Sequence, residues 1–299
     1  MELQQMRYAI AVAEERNFTR AAARCHVVQS ALSHQIKALE QELGVELFAR
    51  TSRRVEVTPA GEAFLDAART SVAAAERAAS DAVATTGEIR GTLTIGVIPT
   101  VTAIDLPALL SGFRRQHPAV RIALRSGGSD EFLEAIAAGR MDAAVLGLAG
   151  DVAHAGIESR ELAREDLVAV VSSRHPLADR RRVRLADLES EPYVDFPAGT
   201  PGRAQSDAAF TAAGIDRDVA FEAMDIALML GLVRTGLAIA FLPRAVVADA
   251  PDVRCLTVVG APSRIEHLAW SGFNPTPAAK AFISAVESEY PARKGGTHE

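Results

Sequence analysis

The stretch from Asn17 to Leu65, NFTRAAARCHVVQSALSHQIKALEQELGVELFARTSRRVEVTPAGEAFL, decides the reading of the chain. At its centre Leu32, Ile36, Leu39 and Leu43 recur at spacings of three and four, the apolar stripe of a helix that starts at Gln29. Gly44 supplies its left-handed stop. Ser30, Ser33, His34, Lys37 and Gln41 lie off that stripe and face outward. Upstream, Leu3, Met6, Ile10 and Ala13 form one face of a first helix that ends at Asn17-Phe18. Thr19 is placed to cap a short second helix, whose Ala21, Ala22 and Ala23 let a neighbouring helix come close, and His26-Val27-Val28 is the turn. Downstream, Arg50, Arg53 and Arg54 surround Thr51-Ser52, and residues 54–57 alternate as a short strand does. Helix, turn, longer helix and basic hairpin in this order describe a winged helix-turn-helix. Short polar side chains on the outer face of the third helix suit base edges in the major groove, Gln by a bidentate contact to adenine. Lys37 and the basic turn suit phosphates or the minor groove. Any one of these features is more often a solvated face or a charged loop; the ordered combination carries the weight.

The same residues resemble the LysR-type transcriptional regulators. The resemblance rests on Phe18-Thr19-Arg20-Ala21-Ala22, Gln29, Ala31-Leu32-Ser33, Ile36, Leu39-Glu40, Leu43-Gly44, Leu47-Phe48, Arg50 and Thr58-Pro59-Ala60-Gly61, and it extends over essentially the whole length. It implies an α/β protein with an N-terminal winged helix-turn-helix, a long linker helix and a C-terminal effector domain of two subdomains resembling periplasmic binding proteins. The DNA-contacting set it implies is Thr19, Arg20, Gln29, Ser30, Ser33, His34, Lys37, Arg50, Arg53, Arg54 and Thr58. Three positions depart from the family pattern. Val28 stands where Ser or Thr is usual, Ser30 where Pro is frequent, and His34 where Arg is frequent. The first removes the expected cap of the reading helix, at a cost of about 1 kcal/mol unless Ser30 or a shifted helix start compensates. The last alters the expected operator preference.

Residues 1–58 are assigned to the DNA-binding domain, 59–87 to the linker helix and 88–299 to the effector domain. Thr58-Pro59 opens the linker as N-cap and first-turn proline. Leu65, Ala68, Val72, Ala75, Ala79 and Ala82 then keep a heptad spacing, so this helix is the expected dimerisation element. A twofold dimer requires two operator half-sites. The resemblance adds a tetramer as the further assembly and RNA polymerase as a further candidate partner.

From Gly91 onward apolar strands alternate with helices, as in a parallel sheet that binds ligands at the carboxyl ends of its strands. Subdomain I is expected at about 91–162 and 267–299, and subdomain II at about 163–266, with crossings near Leu162 and Glu266. Pro99, Thr100, Val101, Thr102, Gly128 and Ser129 fall at strand ends of the first, and Phe196, Thr200 and Arg203 in the second. Hydroxyls, helix-start amides and an arginine are what a small anionic metabolite needs, so these nine are the candidate effector residues. Capping of helices, or an exposed arginine, is the plainer explanation of each taken alone.

Composition is compatible with this. A chain of 299 residues with 48% hydrophobic side chains can build more than one core. Its net charge of -6 argues against a nucleic-acid partner only until it is divided: residues 1–60 hold eight Arg or Lys against seven Glu, which leaves -7 for the remainder. Cys25 and Cys255 make no metal spacing, and no disulfide is expected of them in a reducing cytoplasm. The start of the chain lacks the pattern of a signal peptide, and no apolar run is long enough for a bilayer, so a cytoplasmic protein without membrane, metal or cofactor is expected. A transported-solute receptor would share the second half but not the DNA-reading head. An enzyme is disfavoured because no GxGxxG follows a strand and neither GxSxG nor HExxH occurs. A purely architectural DNA binder would have no use for the large second domain.

Overall fold

A computed structural model describes residues 1–50, 55–84, 88–248, 250 and 252–291. They form two compact units that divide at about residue 87. The first begins with α1 (Leu3–Glu15), α2 (Phe18–Arg24) and α3 (Gln29–Leu43), continues through β1 (Phe48–Arg50) and β2 (Val55–Val57), and ends with α4 (Pro59–Ala84). Tyr8, Val12, Ala21, Leu32, Ile36, Leu39, Leu47 and Phe48 close one core between the helices and the hairpin. Each large apolar side chain enclosed there contributes about 1.5–3 kcal/mol. Asn17, not Thr19, caps α2: its side chain accepts the Arg20 amide at 3.0 Å, two residues earlier than the sequence suggested. Arg16, at φ 46°, makes the left-handed turn that lets α2 follow α1 so closely. At Gly61 an added Cβ would strike the Leu47 carbonyl oxygen, so only glycine lets α4 lie against the hairpin here.

The second unit carries β3 (Gly91–Val97), α5 (Leu106–Gln116), β4 (Val120–Ser126), α6 (Ser129–Ala137), β5 (Ala143–Leu148), β6 (Ile157–Asp166) and β7 (Val168–Ser172). It continues with β8 (Arg182–Arg184), β9 (Pro192–Asp195), α7 (Pro201–Ala213), β10 (Asp218–Glu222), α8 (Ile226–Arg234), β11 (Ala240–Leu242), β12 (Val253–Val259), β13 (Ser263–Ser271) and α9 (Pro277–Glu289). One sheet runs β4-β3-β5-β13-β6, another β11-β7-β12-β8, and β9 pairs with β10. The two larger sheets are mixed rather than parallel. β4, β3 and β5 are parallel, but β13 runs antiparallel to β5 and β6, and β7 antiparallel to β11 and β12. The reason is connectivity: the chain leaves the first sheet along β6 and returns beside it along β13. Leu162 and Glu266 therefore lie inside paired strands, and the crossings fall beyond them, where the Leu167 amide donates to the Pro262 carbonyl at 2.8 Å.

Strand alternation sorts the cores. Ala143 and Val145 of β5 join Leu93, Leu109, Phe113 and Phe282 on one side; Ala144 and Leu146 join Phe132 and Ile136 on the other. In the second subdomain Ala169 and Val171 meet Tyr193, Phe210 and Phe241, while Val168 and Val170 meet Met229 and Val233. These cores fix α6 and α7, whose first turns line the cleft.

Candidate DNA-reading and effector-binding sites

α3 begins at Gln29 without a side-chain cap: Val28 holds the N-cap position, 68% exposed, and offers only its carbonyl to Ala31 and Leu32. Gln29, Ser30, His34 and Lys37 are exposed along α3, and Ser33 is half-buried. Lys37 has no acidic partner among the described residues, which leaves its charge available to a phosphate. Arg20 is exposed but engaged with Glu15, at 3.3 Å through its Nε. Such a surface pair is worth at most about 1 kcal/mol, so a phosphate exchanges for it readily. Thr19 is exposed. The Thr58 hydroxyl is held inside the fold, donating to the Glu46 carbonyl at 2.7 Å and accepting the Gly61 amide at 3.0 Å. Arg50 closes β1, and Arg53 and Arg54 lie outside the described residues. Glu40 was missed by the sequence reading. Its carboxylate accepts the Leu47 and Phe48 amides at 2.9 and 3.2 Å and so sets where the hairpin leaves α3.

The proposed heptad seam divides. Leu65 belongs to the core of its own N-terminal unit and Ala68 is buried, whereas Val72 and Ala75 are half-buried and Ala79 and Ala82 exposed. Only the later part of α4 therefore presents this face.

In the second unit Pro99, Thr100, Gly128, Ser129, Phe196 and Thr200 line one cavity together with Gln205, Met224, Phe241 and Arg264. Its interior leaves about 40 Å³ for the centres of water-sized spheres, and it opens partly to solvent. The first turns of α6 and α7 meet across it, through Gly128-Ser129 and Thr200-Pro201-Gly202. Val101, Thr102 and Arg203 are not in its lining. Val101 packs against the cores of its subdomain. The Thr102 hydroxyl lies 2.5 Å from Glu266 Oε1 and accepts from Arg264 Nη2 at 3.0 Å. Arg203 donates to Asp207 at 3.1 Å and to Glu222 at 3.0 Å, bracing α7 against β10. Even Ser129, which does line the cavity, is committed: its hydroxyl accepts the Gly147 amide at 3.0 Å.

The cation of this cavity is Arg264, on β13 and 3% exposed. Its Nη1 donates to Thr100 Oγ1 at 2.7 Å, and its Nη2 reaches Glu165 at 2.7 Å and Glu266 at 2.6 Å. The Glu266 carboxylate is fully buried and also accepts the Thr102 and Ala103 amides. The sequence did contain a signal for this cluster: charged side chains inside an otherwise apolar strand must pair. Gln205 gave none. It is 5% exposed, yet its amide makes no hydrogen bond among the described residues.

Behind α7 a second buried pair stiffens the cavity wall. Arg217 donates to Asp195 at 2.6 Å and to Asp207 at 2.6 Å, its guanidinium 5.6 Å from the Tyr193 ring centroid and 5.2 Å from that of Phe210. Burial pushes the Asp195 carboxyl up from its usual range, and the Arg217 charge only partly opposes this. Burial also raises Asp207, but hydrogen bonds from Arg217 and Arg203 outweigh it and hold that carboxyl below the usual range. No group of three or more His, Cys, Asp or Glu among the described residues could hold a metal ion. No helix among them is long and apolar enough to cross a membrane.

A helix-turn-helix head joined to a two-subdomain ligand-binding unit defines a ligand-responsive transcriptional regulator. Residues 3–62 match the family model described as bacterial regulatory helix-turn-helix protein, lysR family, and residues 86–291 match the LysR substrate binding domain. The chain belongs to the LysR family of transcriptional regulators. It is 35% identical over 244 residues to the DNA-binding transcriptional dual regulator OxyR of Escherichia coli (strain K12), spanning 81% of this chain and 79% of that one. It is 34% identical over 249 residues to the transcriptional dual regulator GltC of Bacillus subtilis (strain 168), 83% of each. The crystal structure of CbnR, a LysR family transcriptional regulator, superposes with a TM-score of 0.72 at 30% identity, over 98% of this chain and 100% of that one. Full-length CbnR complexed with its target DNA superposes at 0.71 and 31% identity, over 96% and 99%.

Proposed function

We propose that α3 reads a dyad operator through Gln29, Ser30, Ser33 and His34, that Lys37, Arg20 and the hairpin arginines anchor phosphates, and that a small molecule carrying an anionic group in the cleft changes how the assembly sits on DNA. The observation that carries the second half is the convergence of two helix starts on one cavity, above an arginine whose charge two glutamates already answer. Free amides at helix starts favour an anion even in a domain whose net charge is negative. The exposed part of α4 supports a dimer, with a tetramer as the further assembly and RNA polymerase as a candidate partner at the promoter. A DNA target supports a cytoplasmic location.

Several relatives are hydrogen peroxide-inducible genes activators, which raises peroxide as the signal. The chemistry of this chain speaks against it. The second unit holds one cysteine, Cys255, whose thiol is pushed up by burial, and peroxide attacks thiolates. The test is a footprint of the DNA flanking the gene with and without candidate metabolites. A dyad footprint whose extent changes with a metabolite supports the reading, and a non-dyad footprint indifferent to every metabolite contradicts it.

A further inference from the structure

Adjoining the Arg264 cavity is a wider mouth that shares Pro99, Gly127, Gly128, Thr200, Pro201 and Met224 with it. The charged side chains lining this mouth are Asp130, Glu131 and Asp225, all acidic. Glu131 folds back over the lip, its Oε2 2.7 Å from where a Cβ on residue 127 would stand. Neither Asp130 nor Glu131 has an ion-pair partner among the described residues. Burial, and then the charge of Glu134 one turn on, raise the Asp130 carboxyl, so the acids crowd one another. Helix starts account for part of this: acids in the first turn of α6 offset its dipole, and Asp225 caps α8 by accepting the Leu228 amide at 2.7 Å. They do not account for the inner half of the cleft. α7 has no acid in its first turn, and beside it stands Gln205, nearly wholly buried against the cavity with its amide unpaired. That amide is unpaired yet still open to solvent, so a ligand entering the cavity can take the place of its water.

We propose that the effector is a zwitterionic amino-carboxylate, its carboxylate inward against the start of α7, Gln205 and Thr100, and its ammonium outward against Asp130, Glu131 and Asp225. The proposal rests on the cleft reading above and narrows it. A dicarboxylate would set a second negative charge among three carboxylates in a partly desolvated mouth, and a plain carboxylate would leave those acids unanswered. The amine supplies a charge-assisted hydrogen bond where the chain itself supplies no cation.

The test is calorimetric titration of the full-length protein with matched series: the common α-amino acids and 4-aminobutanoate to 6-aminohexanoate, the corresponding monocarboxylates, and succinate to adipate. At least one amino-carboxylate should bind about tenfold or more tightly than its monocarboxylate and dicarboxylate counterparts. The exposed double change Asp130→Asn, Glu131→Gln should cut that preference to about threefold or less. Gly128→Phe reports on the cleft itself. A Cβ at 128 meets nothing within 4 Å, so the ring fills open space and should abolish binding. Dicarboxylates or monocarboxylates binding as well as amino-carboxylates, or a preference that survives the double change, would overturn the zwitterion while leaving the cleft reading intact. Absence of binding by every probe at millimolar concentration would also overturn it. Binding that persists undiminished in Gly128→Phe would instead defeat the cleft reading.

Discussion

The two units of this chain handle polar side chains in opposite ways. On α3 they are displayed: Gln29, Ser30, His34 and Lys37 stand exposed on a helix whose other face is wholly apolar. Around the effector cleft they are tied to one another, so that Thr102, Ser129 and Arg203 serve the fold, while Arg264, Glu165 and Glu266 form a buried charge cluster beneath the ligand space. A reading head must offer unsatisfied groups to a partner that arrives with its own water. A ligand cavity must hold its shape when empty, and paired charges hold it.

This contrast can be broken first at its most costly element. Arg264→Met leaves Glu266 and Glu165 without their counter-charge, and unfolding by urea should show a loss of about 3–5 kcal/mol. Adding Glu266→Gln to Arg264→Met should recover part of it; a single change that costs nothing would mean that the cluster does not brace the cleft. The Asp195–Arg217 pair sharpens the same point through pH. Because the folded carboxyl is raised, its proton contributes stability at low pH that is lost as pH climbs from an ordinary carboxyl's 3.8 through the raised value. Asp195→Asn should therefore remove that decline, and in Arg217→Met it should extend to higher pH. Thermal unfolding across an acid-to-neutral series measures both.

On the reading head the effects are smaller and of two kinds. Gln29→Ala should erase discrimination at one base pair, about 1–3 kcal/mol in a panel of operator variants. Lys37→Ala and Arg53→Ala should instead weaken all sequences alike and reduce the salt slope by about one each. Equal loss of sequence preference in all three would end the division into reading and anchoring. The smallest expected effect is a gain: Val28→Ser supplies the missing cap of α3 and should stabilise the N-terminal unit by about 1 kcal/mol, seen as a higher urea midpoint at unchanged slope.

What was legible in the sequence follows the distance over which each feature is built. α3, its uncapped start and its Gly44 stop depend on neighbours within a few residues, and periodicity exposes them. Thr19 and Asn17 show the limit of even that, since both can cap and only backbone geometry chooses. Antiparallel β6 and β13 were hidden because their pairing joins residues about a hundred positions apart, and half-exposed β6 carries no continuous apolar run. Arg264 reaches Thr100 across 164 residues and Glu165 across 99, so the charges within β13 announce that a pairing must form but not with which residues. Thr102 and Arg203 were read as ligand groups because residue type shows capacity and not commitment.

The central claim is that one cleft ligand biases how the protein holds DNA, and thermodynamic linkage tests it directly. An amino-carboxylate that binds in calorimetry should be titrated into full-length protein with and without saturating operator, and operator affinity measured by anisotropy with and without that compound. The expected result is one factor seen from both sides, about 5-fold to 150-fold, and absent in Gly128→Phe. An operator affinity indifferent to saturating compound, with the compound bound in the cleft, would contradict it.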